Sequence, residues 1–280
     1  MSDRVSCTIE GGIADVRLTR PEKRNALDRE MFRAILAAAA QVAADPSVRA
    51  VVLSGEGKGF CAGLDMSLFA AMAESEETQR SLPATARVGT GGRSEVDQLE
   101  QVSSIRIDAP RAVRVWTELR APVIAAVHGV AVGGGFQLAL GADIRIVAPD
   151  AQLGAFEIRW GIVPDMCGTQ LLPPLVGPDV AKDLMFTGRA VSGDEALRIG
   201  LATRVAEEPR AAALELAAEI AGRSPAAIRV IKQLVDRSWG TTLDDGLRAE
   251  FELTEGMIGT ANQLEAVRAN LEQRPGSFSD

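Results

Sequence analysis

Two glycine turns hold the clearest chemical signal in this sequence. The run PVIAAVHGVAVGGGFQLAL, residues 122–140, opens with an apolar β-branched stretch, Val123 to Val127, that reads as a buried strand ending at Gly129. Gly133, Gly134 and Gly135 then lead into helical spacing at Phe136, Leu138 and Leu140. Glycines at a helix start admit a ligand close to the backbone, where the first N–H groups have no partner inside the helix. Such a turn can hold an anion, or the negative oxygen that develops on a carbonyl in a transition state. It can equally be a tight turn kept for close packing. The spacing is not the GxGxxG of dinucleotide sites, and no Gly-Lys-Ser/Thr follows, as a phosphate-binding P-loop requires. A small oxyanion therefore fits better than a pyrophosphate. The second turn follows a strand at 48–54: Gly55-Glu-Gly-Lys-Gly59, then Phe60-Cys-Ala-Gly-Leu-Asp65. One backbone donor from each turn would make a two-donor oxyanion hole.

The form F-C-A-G-x-D, followed by P-V-I-A-A-V-x-G-x-A-x-G-G-G, closely resembles the crotonase (enoyl-CoA hydratase/isomerase) superfamily. The likeness extends to Arg20-Pro-Glu-Lys-Arg-Asn-Ala-Leu27, similar to the family's N-terminal RPxxxNAL. It continues through Ala142-Asp-Ile144, Gln152-Leu-Gly154, Glu157, Gly161, Pro164, Gly168-Thr-Gln170, Phe186-Thr-Gly188 and Gly200-Leu201. These matches cover most of the chain in the family's order. The resemblance implies an α/β fold: a crotonase-like spiral of repeated ββα units with a C-terminal helical oligomerisation region. It also implies an acyl-CoA thioester as substrate and a homotrimer or homohexamer as the assembly. By motif position the oxyanion donors would be the amides of Leu64 and Gly134. Removing one such donor from an enzyme commonly costs ~10²–10³ in rate.

The family uses two acidic positions to move a proton or to activate water, and here the sequence departs at the first. That position is Gln137, which can orient water or substrate by hydrogen bonding but cannot act as a general acid or base. The second is retained as Glu157, and Asp165 stands eight residues further on, where dienoyl-CoA isomerases of the family carry an aspartate. Two carboxyls in one pocket can have their pKa values pushed apart, by burial of one and mutual repulsion of both. Proton removal at one carbon and return at another suits such a pair, so the expected activity is isomerisation of an enoyl- or dienoyl-CoA. Hydration of a 2-enoyl-CoA is the competing reading, and a non-catalytic acyl-CoA binder is a third, since fold membership does not fix the reaction.

Blander roles stand beside these. Glu157 could be a salt-bridged structural carboxylate, and Asp165 could cap the turn after Pro164. Asp65 is expected to order the Cys61–Asp65 turn, and His128 to be buried or to support the glycine turn. Cys61 with His128 lacks a third orienting group for thiol catalysis. Met66 and Phe69 read as walls of the acyl pocket. The resemblance places coenzyme A against the RPxxxNAL segment and the second turn. Lys23, Arg24 and Lys58 are then candidate phosphate contacts, and backbone at Ala26 and Ala62, with Leu64, Asp65 and Met66, candidate pantetheine contacts. No metal and no redox cofactor is implied.

Composition restricts the alternatives. The chain has 280 residues with 30 basic and 38 acidic side chains, a net charge of −8, which argues against nucleic acid as the main partner. Three cysteines, Cys7, Cys61 and Cys167, are too few and too scattered for a disulfide framework or a zinc site. The N-terminus has no apolar targeting stretch, and no run approaches a membrane span, so a reduced cytoplasmic setting is expected.

The elements that must position these turns follow from periodicity. Val5 to Glu10 and Ile13 to Thr19 read as strands around a Gly11-Gly12 hairpin. Asp28 caps a helix to about Ala44, with Met31, Ile35, Ala39 and Val42 on its apolar face. Strands follow at 48–54, 122–127 and 143–148, with a helix from 134 between the last two. Pro173-Pro174 breaks the next segment, and Asp179 to Phe186 resumes as a helix. From about Ala211 the pattern is helical, with one stripe at Leu214, Ala217, Ala218 and Ala221 and another at Ile228, Ile231, Leu234 and Val235. The expected division is a spiral core at 1–205, with a variable insert or lid at 66–115, and a helical region at 206–280.

Overall fold

The computed structural model describes residues 3–68 and 107–280. Its centre is a six-stranded sheet in the order β1-β2-β3-β4-β6-β8. Strands β1 (Val5–Glu10) and β2 (Ile13–Leu18) form the expected antiparallel hairpin across Gly11-Gly12. From β2 onward, β3 (Ala50–Gly55), β4 (Val123–Val127), β6 (Ile144–Val147) and β8 (Arg204–Val205) run parallel to their neighbours. A second layer holds two short parallel strands, β5 (Val130–Val132) and β7 (Gln152–Gly154). Single bridges extend it from Leu27 to Leu64, from Cys61 to Ala131 and from Leu153 to Val191. Each turn of the spiral thus places a strand in the large sheet, a short strand or bridge in the second layer, and then a helix.

Helix α1 (Arg29–Ala44) starts where expected, because the Asp28 side chain accepts from the Met31 amide at 2.7 Å. It buries Met31, Phe32, Ile35, Ala38, Ala39 and Val42 against the sheet. Helix α2 (107–117) follows the undescribed stretch, so the expected insert at 66–115 is ordinary core helix at its C-terminal end. Ala109, Ala112, Val113 and Trp116 pack into the main core, which leaves no room for the reading of 107–115 as irregular. The acidic and glycine-rich residues of that insert, with Phe69, lie outside the described residues.

Helices α3 (Gly134–Leu140), α4 (Gly168–Leu171), α5 (Pro173–Val176), α6 (Pro178–Thr187) and α7 (Gly193–Arg198) complete the spiral. Four helices close the chain: α8 (Pro209–Ala221), α9 (Pro225–Ser238), α10 (Leu243–Glu255) and α11 (Ala261–Leu271).

Strands β3 and β4 are buried on both faces, as parallel strands usually are. One face, with Val51, Leu53, Val123, Ala125 and Val127, meets α1 and α2. The other, with Ala50, Val52, Ile124, Ala126 and Ile146, is sealed by Ala213, Leu216 and Ala217 of α8. Helix α8 is therefore part of the core, and the expected boundary at 205 falls ahead of an element the sheet cannot do without. Its buried stripe is Ala213, Leu216, Ala217 and Ala221, whereas Leu214 is half-buried and Ala218 exposed, a rotation from the expected face. With alanines on every side, the helix carries little preference of its own, and the shape of the sheet selects the face. The stripe on α9 is split: Ile228 and Leu234 are half-buried, Ile231 and Val235 exposed. Among the described residues no helix is long and apolar enough to cross a membrane.

Trp116 is the largest fully buried side chain. Replacing it with Ala should cost about 3–5 kcal/mol, read as a lower urea midpoint at an unchanged slope.

Candidate active site

The two glycine turns meet. Strand β5 pulls them together: Cys61 bridges Ala131, its amide donates to the Val130 carbonyl at 2.9 Å, and its carbonyl accepts from Val132 at 3.1 Å. Contact is so close that a β-carbon at Gly135 would lie 2.2 Å from the Cys61 carbonyl oxygen, and one at Gly63 would lie 3.4 Å from the Gly134 nitrogen. On the other side Leu27 pairs with the same segment, donating to Gly63 and accepting from Asp65. Those bonds leave the Leu64 amide without a backbone acceptor among the described residues. Gly134 is the first residue of α3, so its N–H has no acceptor inside the helix. Leu64 and Gly134 thus offer two orphan donors from adjoining turns, as an oxyanion hole requires.

Two buried side chains brace the Leu64 turn. Asn25 accepts from the Arg20 amide, and its Nδ2 faces the carbonyls of Glu56, Gly59 and Phe60 at 2.9–3.1 Å. Arg20 donates from Nη1 to the Ala26 carbonyl at 3.0 Å and to Asp65 Oδ2 at 2.6 Å. Asp65 also accepts from the Ser67 amide and hydroxyl; these bonds, with Arg20, hold its carboxyl down at about 2. Asp65 is therefore the expected brace of the turn.

Glu157 opens a single helical turn, Glu157–Trp160, after β7. It is 6% exposed, and Oε1 would be 3.6 Å from a β-carbon at Gly133, immediately beside the Gly134 donor. Oε1 accepts from Gln137 Nε2 at 2.6 Å, while Oε2 has no hydrogen-bond partner among the described residues. A carboxylate with one oxygen anchored and the other unpartnered, beside two orphan amides, can take a proton from a group whose negative charge those amides receive. Burial pushes the Glu157 carboxyl up, and the charge of Asp165 adds to the rise. Asp165 itself is exposed.

The sequence matches the enoyl-CoA hydratase/isomerase family over residues 8–87 and 99–280. It is 35% identical over 268 residues to the short-chain-enoyl-CoA hydratase of Clostridium acetobutylicum, covering 95% of this chain and 93% of that one. Identity to the crotonyl-CoA hydratase of Syntrophomonas wolfei is 32% over 272 residues, covering 96% and 95%. An enoyl-CoA hydratase crystal structure from Bacillus anthracis matches the fold with a TM-score of 0.83 at 30% identity, covering 98% of each chain. The chain belongs to the enoyl-CoA hydratase/isomerase family.

In this hydratase/isomerase-family chain the remaining site residues are distributed unevenly. Lys23, Arg24 and Lys58 are exposed on adjoining turns, since the Ala62 amide donates to the Arg24 carbonyl at 2.9 Å. Ala26 already uses both backbone groups inside the chain, donating to Lys23 and accepting from Arg20. Met66 is 56% exposed. Gln137 is buried, and its carbonyl oxygen faces two backbone amides rather than open space for water. His128 is half-buried, with Nε2 2.9 Å from the Gly57 carbonyl of the Gly55–Gly59 turn. Cys61 donates to the Asn25 carbonyl, and burial pushes its thiol up to about 12, so no thiolate forms at neutral pH. Sequence reasoning quoted Arg20 and Asn25 inside the RPxxxNAL motif but gave them no task. A buried-type asparagine beside a charged arginine was the available signal.

A base must be ionised to work, and the Glu157 carboxyl is raised. The rate of proton abstraction should therefore fall as pH drops through a midpoint above the reference of 4.5. Asp165→Asn should lower that midpoint, and a pH profile of kcat/KM checks both.

Proposed function

We propose that this protein isomerises a double bond in an enoyl- or dienoyl-CoA thioester. The observation that carries the reading is the pairing of one buried carboxyl, Glu157, with an amide, Gln137, in place of a second acid. The thioester carbonyl lies between the Leu64 and Gly134 amides, which receive the charge of the enolate. Glu157 Oε2 takes the proton from carbon; the electron pair moves onto the carbonyl oxygen and returns when a proton is delivered to a second carbon. Asp165, exposed but close enough for its charge to act on Glu157, exchanges the second proton. Coenzyme A runs along the exposed face formed by the 21–26 and 56–66 segments, with Lys23, Arg24 and Lys58 near its phosphates and the Ala26, Ala62, Leu64, Asp65 and Met66 stretch beside the pantetheine.

Reversible hydration is the second reading, favoured by the hydratase names of the relatives. It requires Asp165 to take over the missing acid's work on water. The helices of the C-terminal region support self-association as a trimer or hexamer. Val235, Trp239, Leu243, Phe251 and Leu271 are each more than half exposed there, an apolar surface of the kind that marks an interface.

Mass spectrometry of products in deuterated water discriminates the readings. Offered 2-enoyl-, 3-enoyl- and 3,5-dienoyl-CoA, the protein should return isomers with deuterium incorporated and no added water. A product heavier by water makes it a hydratase, and bound but unchanged thioesters make it a binder. Glu157→Gln should reduce turnover by roughly 10²–10⁴ with substrate binding retained.

A further inference from the structure

Gln137 sits fully buried on the first turn of α3, and its carbonyl oxygen is doubly committed. Oε1 accepts from the Met166 amide at 2.8 Å and from the Gly168 amide at 2.9 Å. That double acceptance fixes which end of the side chain is nitrogen, so Nε2 faces Glu157 and donates at 2.6 Å. Two backbone features shape this cradle. Cys167, between the two donors, holds a left-handed φ of 69°, uncommon for a residue with a β-carbon. A β-carbon at Gly168 would lie 2.7 Å from Gln137 Oε1 and 3.0 Å from its Cδ. The 166–168 segment is thus bent and stripped of bulk around one amide. A glutamate at 137 could satisfy the same two N–H groups with one oxygen. Its other oxygen would then meet Glu157 Oε1 across the same short gap, which requires the pair to share a proton.

We infer that Gln137 is a positioning residue for Glu157: it anchors one carboxylate oxygen with a proton that does not titrate and leaves Oε2 alone to exchange protons with substrate. This rests on the reading of Glu157 as the acid/base. The contributions to Glu157 oppose one another. Burial and, more weakly, the charge of Asp165, on the loop before α4, favour the neutral form, whereas a hydrogen bond from the Glu157 backbone and the Gln137 N–H favour the anion. Helix α3 and the glycine turn before it contribute no charged side chain. Arg159, on the Glu157 turn, is occupied by the Gly188 carbonyl and the Phe156 ring. Gln137 cannot accept a hydrogen bond from a substrate water through its oxygen without giving up one of these two backbone donors.

Infrared titration of the free protein, with Glu157→Gln as the subtracted reference, reads ionisation of the Glu157 carboxyl without any turnover. Gln137→Met keeps the length and removes the donor, and should raise the midpoint by about one pH unit. Gln137→Glu should split the titration into two steps, as a coupled pair requires. Gly168→Ala crowds the amide from outside and should move the midpoint in the same direction as Gln137→Met; it serves if that variant does not fold. In turnover the acid limb should shift in parallel, with kcat down about tenfold and KM within about twofold. A single, unmoved midpoint in folded Gln137→Met or Gly168→Ala would overturn the positioning role. A shifted midpoint in a protein that isomerises none of the thioesters would keep Gln137 in this role and remove the isomerase reading instead.

Discussion

Close approach of two backbones governs this molecule. The Leu64 and Gly134 amides adjoin only because Gly135 lets α3 begin against the Cys61 carbonyl, a contact that a single β-carbon would block at 2.2 Å. The large sheet delivers the two turns from β3 and β4, and the second layer stitches them together through Cys61 and Ala131. Leu27, Asn25 and the Arg20–Asp65 ion pair hold the outer turn from behind. The Leu64 and Gly134 amides, without a backbone acceptor among the described residues, are held in place by this packing.

The second constraint is electrostatic. Burying the Glu157 carboxyl raises its pKa, which makes it a better base when ionised but less often ionised. The molecule offsets burial of Glu157 with a neutral donor rather than a cation. An arginine there would hold the carboxylate down and blunt it as a base. Gln137 supplies one N–H to one oxygen of Glu157 and adds no charge to the site. Asp165, exposed, pulls in the opposite direction. Burial thus sets the direction of the shift at Glu157, and the neighbouring N–H groups and Asp165 adjust it.

The sheet imposes a third demand, because its central strands are apolar on both faces. Helix α8 must cover the second face, so the active-site scaffold depends on a helix drawn from the C-terminal part of the chain. Lys232 of α9 pairs with Asp143, which in turn accepts from the Val123 amide at the start of β4. Beyond that pairing the last helices leave apolar side chains uncovered, and the described chain offers nothing to bury Trp239, Leu243 or Phe251.

Local sequence determined what local physics can determine. Asp28 marked the start of α1, Gly11-Gly12 marked the hairpin, and the unbroken apolar run from Val123 to Val127 read as a buried strand. The glycine turns were legible too, although a triple glycine at a helix start serves close packing as readily as a ligand. Tertiary structure decided the rest. Strands β5 and β7 are three residues each, too short to carry a period, and exist through pairing with each other. Alanine-rich α8 has no strongly preferred face, so the sheet chose Ala213 and Leu216 over Leu214 and Ala218. Arg20 and Asp65 stand 45 residues apart, and Gln137 lies 29 and 31 residues from the Met166 and Gly168 amides that orient it. A sequence can show that an acid has been replaced by an amide. Which way that amide points is fixed by hydrogen bonds that form only once distant segments have packed.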